Sequence, residues 1–450
     1  MMSLPCSLLV DHSSTHPDRF VALMSATKIQ ELNLEKNSTV QITGRDSKMV
    51  FCTLKESIQC SDKKILLNKL MRHNLGVLVN DPVMVGPCCN LQYAAQIDIA
   101  VNYTDALKGL NRNICKVLVN EYFAGKRIIL CEGNKFIVRK GMKAVEFVVV
   151  RTDPTRPYCL VDTTKVSKVN YLTDVARYKP EEKRLSHISY EDIGGYVQQL
   201  QQLRELEFPL RLPSLFKQLK VANPHVIMHG PQGVGKLLLA KAYATETNAH
   251  FVLLNESMIK DVPIDIKIVR IRSKLEEAKK NSPSVVCFDG LHEIAPKTMI
   301  DPNQHKFLIK ELVKMLKQME QDKSCIVILI GITHLLSQVN TGVLHHFYSI
   351  KNDKYITFEY PNFSDRYEIL KIHTRDLTLS SNFDFNHLAA GTENYTGERL
   401  AALCKKVAWR VYKNKHEDSI GVEDEVSEVE SFMNKVITLA DFQDILHEMS

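Results

Sequence analysis

A glycine-rich segment that ends in lysine is the part of the sequence with the clearest chemistry. Gly230-Pro-Gln-Gly-Val-Gly-Lys-Leu237 has the spacing G-x-x-x-x-G-K of a phosphate-binding loop. In such a loop the glycines let backbone N–H groups wrap a phosphate, and the lysine brings a full positive charge. The next position holds Leu237, where the motif has a Ser or Thr that binds magnesium. The segment therefore predicts a nucleotide site with weakened magnesium binding.

An acidic residue after an apolar run is the second part of the expected site. Val285-Val-Cys-Phe-Asp289 is typical of a buried strand that ends in a carboxylate, and Asp289 is the candidate to organise magnesium. Phosphate-loop enzymes that hydrolyse nucleotides carry a Glu after this Asp to orient the attacking water, whereas this chain has Gly290. The next acid, Glu293, is expected to point away from the site if the strand ends at Asp289. The pattern therefore predicts nucleotide binding without an evident base for hydrolysis.

Alternating strands and helices must position the loop and Asp289. Apolar periodicity predicts strands over Val226–Met228, Phe251–Leu254, Ser284–Phe288 and Cys325–Ile330, and helices over Lys236–Glu246, Ile266–Lys280, His305–Gln318 and Gly397–Lys415. This alternation is typical of a parallel sheet covered by helices.

The residues before this alternation have a different pattern. From Leu4 to Asp174 short β-rich runs are separated by Gly, Asn, Asp and Pro, which predicts two small β-rich halves. The predicted strands are Val40–Thr43, Gly76–Val79, Arg127–Cys131 and Phe147–Val150. Residues 174–189 are polar and charged and are predicted to be a linker.

Composition narrows the class of protein. The chain has 450 residues, 44% hydrophobic and 24% charged, which is ordinary for a globular protein of several domains. No apolar run approaches the ~18 residues that span a bilayer, and Met1–Val10 does not have the pattern of a signal peptide, so we expect a cytoplasmic or nuclear protein without a membrane span. A net charge of +6 on so large a surface gives no sign of nucleic-acid binding. The eleven cysteines include no C-x-x-C pair, which favours reduced thiols.

Further motifs extend the pattern around the loop. They are Tyr190-Glu-Asp-Ile-Gly-Gly195, Phe288-Asp289 with Ile294-Ala-Pro-Lys297, Ile372-His-Thr374 and Thr396-Gly-Glu-Arg-Leu-Ala-Ala-Leu-Cys404. Together with the loop they resemble the AAA family of ATPases. The segments Asn68–Leu75, Arg139–Phe147 and Thr152–Pro154 are similar to the amino-terminal domain of family members that extract or unfold ubiquitylated proteins.

The resemblance implies a multidomain fold. A β-rich amino-terminal domain, made of a double-psi β-barrel and a four-stranded β-barrel, would precede an α/β P-loop AAA module with a helical lid. The implied boundaries are residues 4–89 for the double-psi barrel, 95–173 for the four-stranded barrel, 174–189 for the linker, 190–360 for the α/β nucleotide-binding subdomain and 361–450 for the lid.

The resemblance also implies which residues hold ATP or ADP. Asp192, Ile193 and Gly194 match the loop that holds the adenine, and His373 matches a lid residue beside the nucleotide. Gly397 matches the lid position near the base, while its neighbour Glu398 replaces a small residue and adds an acid. The phosphates would be held by Gly230, Gln232, Gly233, Val234, Gly235, Lys236, Leu237 and Leu238.

The sequence departs from the family pattern at positions that bind magnesium or take part in hydrolysis. Leu237 removes the magnesium-binding hydroxyl, and Gly290 removes the water-orienting Glu. His334 replaces the Asn that polarises the γ-phosphate. His346 and Ser349 occupy the places of two arginine fingers. Losing an arginine finger alone costs roughly 10³–10⁵ in rate, so these departures predict impaired hydrolysis.

The sequence is consistent with three functions. The first is a hydrolysis-impaired nucleotide-binding protein that acts through ubiquitin-pathway adaptor proteins bound to its amino-terminal domain, or through a ring oligomer with itself or an intact paralogue. The second is an active ATPase that extracts or unfolds ubiquitylated proteins, in the cytoplasm, the nucleus or at the endoplasmic reticulum surface. The third is a decaying duplicate without function.

Overall fold

The computed structural model of the chain describes residues 6–13, 20–58, 60–88, 96–101, 118–119, 122–123, 128–140, 143–153, 159–161, 168–172, 188–219, 221–258, 262–299, 301–347, 355–375, 377–416 and 436–449. The chain divides into two compact units. The first consists of residues 1–187, 374–383 and 406–450, and the second of residues 188–373 and 384–405. The predicted linker falls almost entirely outside the described residues.

A closed six-stranded β-barrel opens the first unit. Its strands are β1 (Cys6–His12), β2 (Val21–Met24), β3 (Thr39–Thr43), β4 (Met49–Glu56), β5 (Lys64–Leu67) and β6 (Pro82–Pro87), in the order β1-β5-β2-β4-β3-β6, with helices α1 (Ala26–Glu31) and α2 (Lys69–Leu75) between them. Side chains alternate between the interior and the outside along β3, where Val40 and Ile42 are fully buried. The strand predicted over Val40–Thr43 is therefore confirmed.

The second β-rich half is a sheet of four strands with a separate strand pair. Its strands are β7 (Gln96–Val101), β8 (Ile128–Leu130), β9 (Lys135–Lys140), β10 (Lys143–Asp153), β11 (Cys159–Val161) and β12 (Lys168–Leu172). The order β12-β7-β10-β9 does not close on itself within the described residues, and β8 pairs with β11. In the described residues this half is thus a four-stranded sheet with a strand pair, and both the four-stranded barrel and the double-psi assignment of the first barrel stay predictions.

The residues that follow helix α2 do not form the strand predicted for them. Asn68 accepts a hydrogen bond from the Met71 N–H at 2.9 Å and begins the helix, and Gly76 ends it with φ of +65°. The strand predicted over Gly76–Val79 is wrong. The alternating burial of Val77 and Val79 is strand-like, but these residues belong to the turn that leaves the helix.

Asn74 of α2 joins the two β-rich halves. Its side-chain amide donates to the Lys135 carbonyl at 2.9 Å and accepts from the Lys135 N–H at 2.8 Å. Residues of both halves also form one continuous apolar core, in which the Phe136 and Phe147 rings lie 5.4 Å apart on neighbouring strands. The amino-terminal region is thus held together by both apolar burial and a reciprocal pair of hydrogen bonds.

A five-stranded parallel sheet forms the centre of the second unit. Its strands are β13 (Val226–His229), β14 (His250–Asn255), β15 (Ser284–Asp289), β16 (Val327–Thr333) and β17 (Tyr355–Thr357), in the order β14-β15-β16-β13-β17. Every residue of β16 is buried, because helices cover both faces of the sheet. The predicted parallel sheet is confirmed, although β16 begins later than the predicted Cys325 and continues to Thr333.

Twelve further helices follow in the described residues. They are α3 (Val197–Arg204), α4 (Phe208–Arg211), α5 (Pro213–Leu219), α6 (Lys236–Glu246), α7 (Ile264–Lys280), α8 (Leu291–Ile294), α9 (Pro302–Gln321), α10 (Thr341–Leu344), α11 (Phe363–Thr374), α12 (Phe385–Ala390), α13 (Gly397–His416) and α14 (Leu439–Met449). The predicted bounds of α6 are confirmed. Helix α9 begins three residues before the predicted His305, because the Asp301 side chain caps it and Pro302 is its first residue. Across the described part of the chain, none of these helices is both long and apolar enough to cross a membrane.

Candidate functional site

The phosphate-binding loop joins β13 to α6 at the carboxyl edge of the sheet. Its glycines Gly230, Gly233 and Gly235 have φ values of +145°, +77° and +102°, which residues with side chains rarely adopt. Lys236 is 7% exposed, and its Nζ donates to the carbonyl oxygens of Gly230 at 2.8 Å and Pro231 at 2.5 Å. The lysine therefore ties the start of the loop to the start of the helix.

A cavity of about 790 Å³ opens beside the loop. The predicted nucleotide-binding residues that line it are Asp192, Ile193, Gly194, Gln232, Gly233, Val234, Gly235, Lys236, Leu237, Leu238, His373, Gly397 and Glu398, together with Asp289, Gly290 and His334. Gly230 contributes through its carbonyl, which holds Lys236. The loop, Asp289 and His334 meet at this cavity because their parallel strands end at the same edge of the sheet. The other lining residues come from the segment before α3 and from α11 and α13.

The segment expected to hold adenine is held by one local hydrogen bond and one to the start of α11. The Asp192 carboxylate accepts from the Ser189 N–H at 2.9 Å, which closes a turn of 3-10 helix before Ile193. Gly194 is buried where it passes α11, and Tyr196 donates its N–H to the Asp365 carboxylate at 3.0 Å. The Asp192 side chain therefore shapes the segment as well as lining the cavity.

Asp289 and Lys236 influence each other across the cavity. Burial raises the pKa of the Asp289 carboxyl above its ordinary value, while the charges of Lys236, Lys241 and His292 oppose that rise. Burial lowers the pKa of Lys236 to about 8, and the carboxylate of Asp289 opposes that fall. The two groups are thus close enough to act on the same bound ligand.

The positions of expected chemistry hold other groups. Leu237 packs against the apolar core that contains Tyr190. Gly290 lies between β15 and α8 with φ of +81°, a left-handed conformation that favours glycine over glutamate. The His334 ring lies 4.3 Å from that of His292 in an edge-to-face arrangement. A hydroxyl, a carboxylate and an amide are therefore replaced by an alkyl chain, a hydrogen atom and an imidazole.

His346 faces the interior of its own chain. It is 8% exposed, and its Nδ1 lies 2.8 Å from the Glu320 carboxylate. Ser349, the other expected arginine-finger position, lies outside the described residues. In this arrangement the His346 side chain is held by α9 and does not point outward as a finger would.

Several residues of the cavity were not predicted from the sequence. They are Tyr196, Asn255, Ser257, His292 and Phe358. Asn255 ends β14 directly beside Asp289 in the strand register, so a polar residue at the end of a strand was a usable signal. Glu293 also lines the cavity, and the expectation that it points away is wrong because α8 begins two residues after Asp289 and turns the chain back.

A comparison with known families fits this geometry. Residues 226–351 match the model of the ATPase family associated with various cellular activities (AAA). The match supports an AAA family member. The matched AAA domain contains the phosphate loop, Asp289, His334 and His346, and such domains have nucleotide-binding, ATPase-type function.

Nucleotide binding by the AAA domain is expected to weaken at alkaline pH. The Lys236 ammonium loses its proton near pH 8 in the free protein, and only the protonated form attracts phosphate. Affinity for ADP should therefore be steady below about pH 7 and fall by up to about tenfold per pH unit above about pH 8. Calorimetric titrations over this range measure the change. Lys236→Arg should flatten the profile because a guanidinium keeps its charge, and a wild-type affinity independent of pH would contradict the assignment.

Proposed function

We propose that the AAA domain binds ATP and ADP and hydrolyses ATP slowly or not at all. One observation carries the proposal. The phosphate loop with Lys236 meets Asp289 at one cavity, whereas the positions for the chemical step hold Leu237, Gly290 and His334. The groups that bind the nucleotide are thus retained, whereas the groups that take part in hydrolysis are replaced.

Each retained group has a definite task in binding. The loop N–H groups and Lys236 would bind the phosphates, since both present positive charge to the cavity. The segment Asp192–Gly194 and the lid residues His373 and Gly397 would enclose the adenine. Gly290 offers no side chain to orient a water molecule, so attack on the γ-phosphate lacks a positioned base.

Magnesium fits part of this site. The Oδ1 of Asn255 is a buried acceptor without a hydrogen-bond partner among the described residues, and Asn255 is the register neighbour of Asp289. Mg²⁺ prefers oxygen ligands and is usually held by one or two protein groups and the phosphates of the nucleotide. Asp289 and Asn255 would hold the ion, which when bound neutralises phosphate charge. In the described segments, no three His, Cys, Asp or Glu residues could hold a metal by themselves.

Calorimetry and a steady-state ATPase assay on the full chain test the proposal. We expect binding of ADP and ATP with a small magnesium dependence, because Leu237 cannot contribute a metal ligand. Turnover should stay well below about one ATP per second, the low end of typical enzymes. The absence of binding heat at millimolar nucleotide would refute binding, and turnover near that rate would refute impaired hydrolysis.

Restoring two family residues is expected to leave hydrolysis slow. In Leu237→Thr/Gly290→Glu the new glutamate occupies a backbone with φ of +81°, which costs about 1–2 kcal/mol for a residue with a side chain. His346 also stays bonded to Glu320. The double variant should therefore be less stable in thermal unfolding and gain little turnover in the same assay. Leu237→Thr alone serves as the control: it removes a side chain that packs on the apolar core, so any further loss of stability in the double variant is due to Gly290→Glu.

An active ATPase is the second candidate, and one observation favours it. Glu293 lines the cavity with its side chain about half exposed, and its Oε1 lies 3.6 Å from His292 Nε2. A carboxylate in this position could activate water in place of the missing glutamate. Measurable wild-type turnover that disappears in Glu293→Gln would support this function over the first.

The amino-terminal region suggests how a slow ATPase would act. Its motifs are similar to those of valosin-containing protein, the transitional endoplasmic reticulum ATPase, and we propose that it binds ubiquitin-pathway adaptors in the cytoplasm. The shared core and the Asn74–Lys135 bonds support a formed binding surface.

AAA proteins typically assemble as rings, so the chain would oligomerise with itself or an intact paralogue. Affinity capture with adaptor domains, alongside sedimentation of the full chain, tests both; failure of both would favour a decaying duplicate.

A further inference from the structure

Glu398 lies against the phosphate loop. It is in the first turn of the long helix α13, and its backbone N–H donates to the Gly233 carbonyl at 2.9 Å. A Cβ atom built on Gly233 would lie 2.8 Å from Glu398 Oε2 and 3.1 Å from Glu398 Cβ. The carboxylate is therefore in contact range of the loop that would receive the phosphates.

Carboxylates outnumber lysine and arginine side chains around the cavity. Its described lining includes the carboxylates of Asp192, Asp289, Glu293 and Glu398, and its only Lys or Arg side chain is that of Lys236. Asp289 already acts on Lys236 from the strand side of the loop. Glu398 adds negative charge on the helix side. An incoming polyphosphate thus meets one lysine and two carboxylates close to the loop.

We infer that Glu398 sets the charge selectivity of this site. Its carboxylate repels bound phosphates, and the repulsion grows with their number, so the site takes nucleoside diphosphates in preference to triphosphates. The inference rests on the nucleotide-binding function proposed above. Glu398 is exposed, so water and salt screen the repulsion. We therefore expect an effect of about three- to tenfold on affinity for ATP.

Glu398→Gln removes the charge and keeps the shape of the side chain. The hydrogen bond to Gly233 uses the backbone N–H, so the substitution leaves it in place. Calorimetric titrations with AMP, ADP and ATP, each in EDTA to exclude metal, should show affinity for ATP rising by about three- to tenfold, a smaller gain for ADP and the smallest for AMP. The gains should shrink in high salt.

Two variants serve as controls. Glu398→Asp keeps the charge and should preserve the wild-type order of affinities. Glu393→Gln makes the same chemical change at an exposed position of the second unit that does not line the cavity, and should change none of the affinities.

The outcomes separate this inference from the proposed function. If all three nucleotides bind wild type and Glu398→Gln alters them equally or not at all, the charge selectivity is refuted while nucleotide binding stands. If neither wild type nor Glu398→Gln binds any nucleotide, the proposed function fails, and the inference fails with it.

Discussion

Lys236→Ala is expected to weaken binding of ADP and ATP by about 10- to 100-fold. A hydrogen bond to a charged group contributes about 1.5–3 kcal/mol, and Lys236 is the only lysine or arginine in the described lining of the cavity. The substitution also leaves the Gly230 and Pro231 carbonyls without the ammonium that joins them. Calorimetric titration measures the loss.

The matched control is Lys310→Ala, an exposed lysine on α9 outside the cavity, which should keep wild-type affinity. Thermal unfolding of both variants separates loss of the site from loss of the fold. Unchanged affinity in a folded Lys236→Ala protein would show that nucleotide binds elsewhere.

Gly194→Ala is expected to destabilise the second unit and to weaken nucleotide binding together. A Cβ atom at Gly194 would lie 2.6 Å from both the backbone N and the Cα of Ile369. Backbone atoms in α11 cannot rotate away as a side chain could, so the loop must shift. Overpacking of this kind costs about 1–3 kcal/mol. Urea unfolding followed by circular dichroism measures the cost, and ADP titration of the folded variant measures the effect on the site.

Gly86→Ala is the control for this substitution. A Cβ atom at Gly86 meets nothing within 4 Å, and the residue does not require a left-handed backbone. Its stability should stay within about 0.5 kcal/mol of wild type. Equal stability of Gly194→Ala and Gly86→Ala would contradict the close packing of the adenine segment on α11.

Local patterns predicted the second unit well. The bounds of α6 could be predicted because the phosphate loop marks its start and its Leu, Ala and Lys residues favour a helix. The run ending in Asp289 is buried along its whole length and could be assigned as a strand from its continuity. The motif of the phosphate loop then indicated which strand and which helix meet at the site, namely β13 and α6.

Long-range contacts could not be predicted in this way. Asn255 and Asp289 are neighbours only because β14 pairs with β15, and the inward orientation of His346 depends on Glu320, 26 residues away. The first barrel closes through pairing of β1 with both β5 and β6, across more than fifty residues. Such partners are set by topology, and a single sequence carries no local signal for them.

The Asn74–Lys135 bonds set an order of events during synthesis on the ribosome. Asn74 is 7% exposed, and both its bonds use backbone atoms that leave the exit tunnel 61 residues later. Until then the amide has only water as a partner, and the apolar core that the two halves share is incomplete. The first barrel therefore reaches full stability only after the start of the second β-rich half has emerged, so a pause in translation between them would prolong its exposure to chaperones.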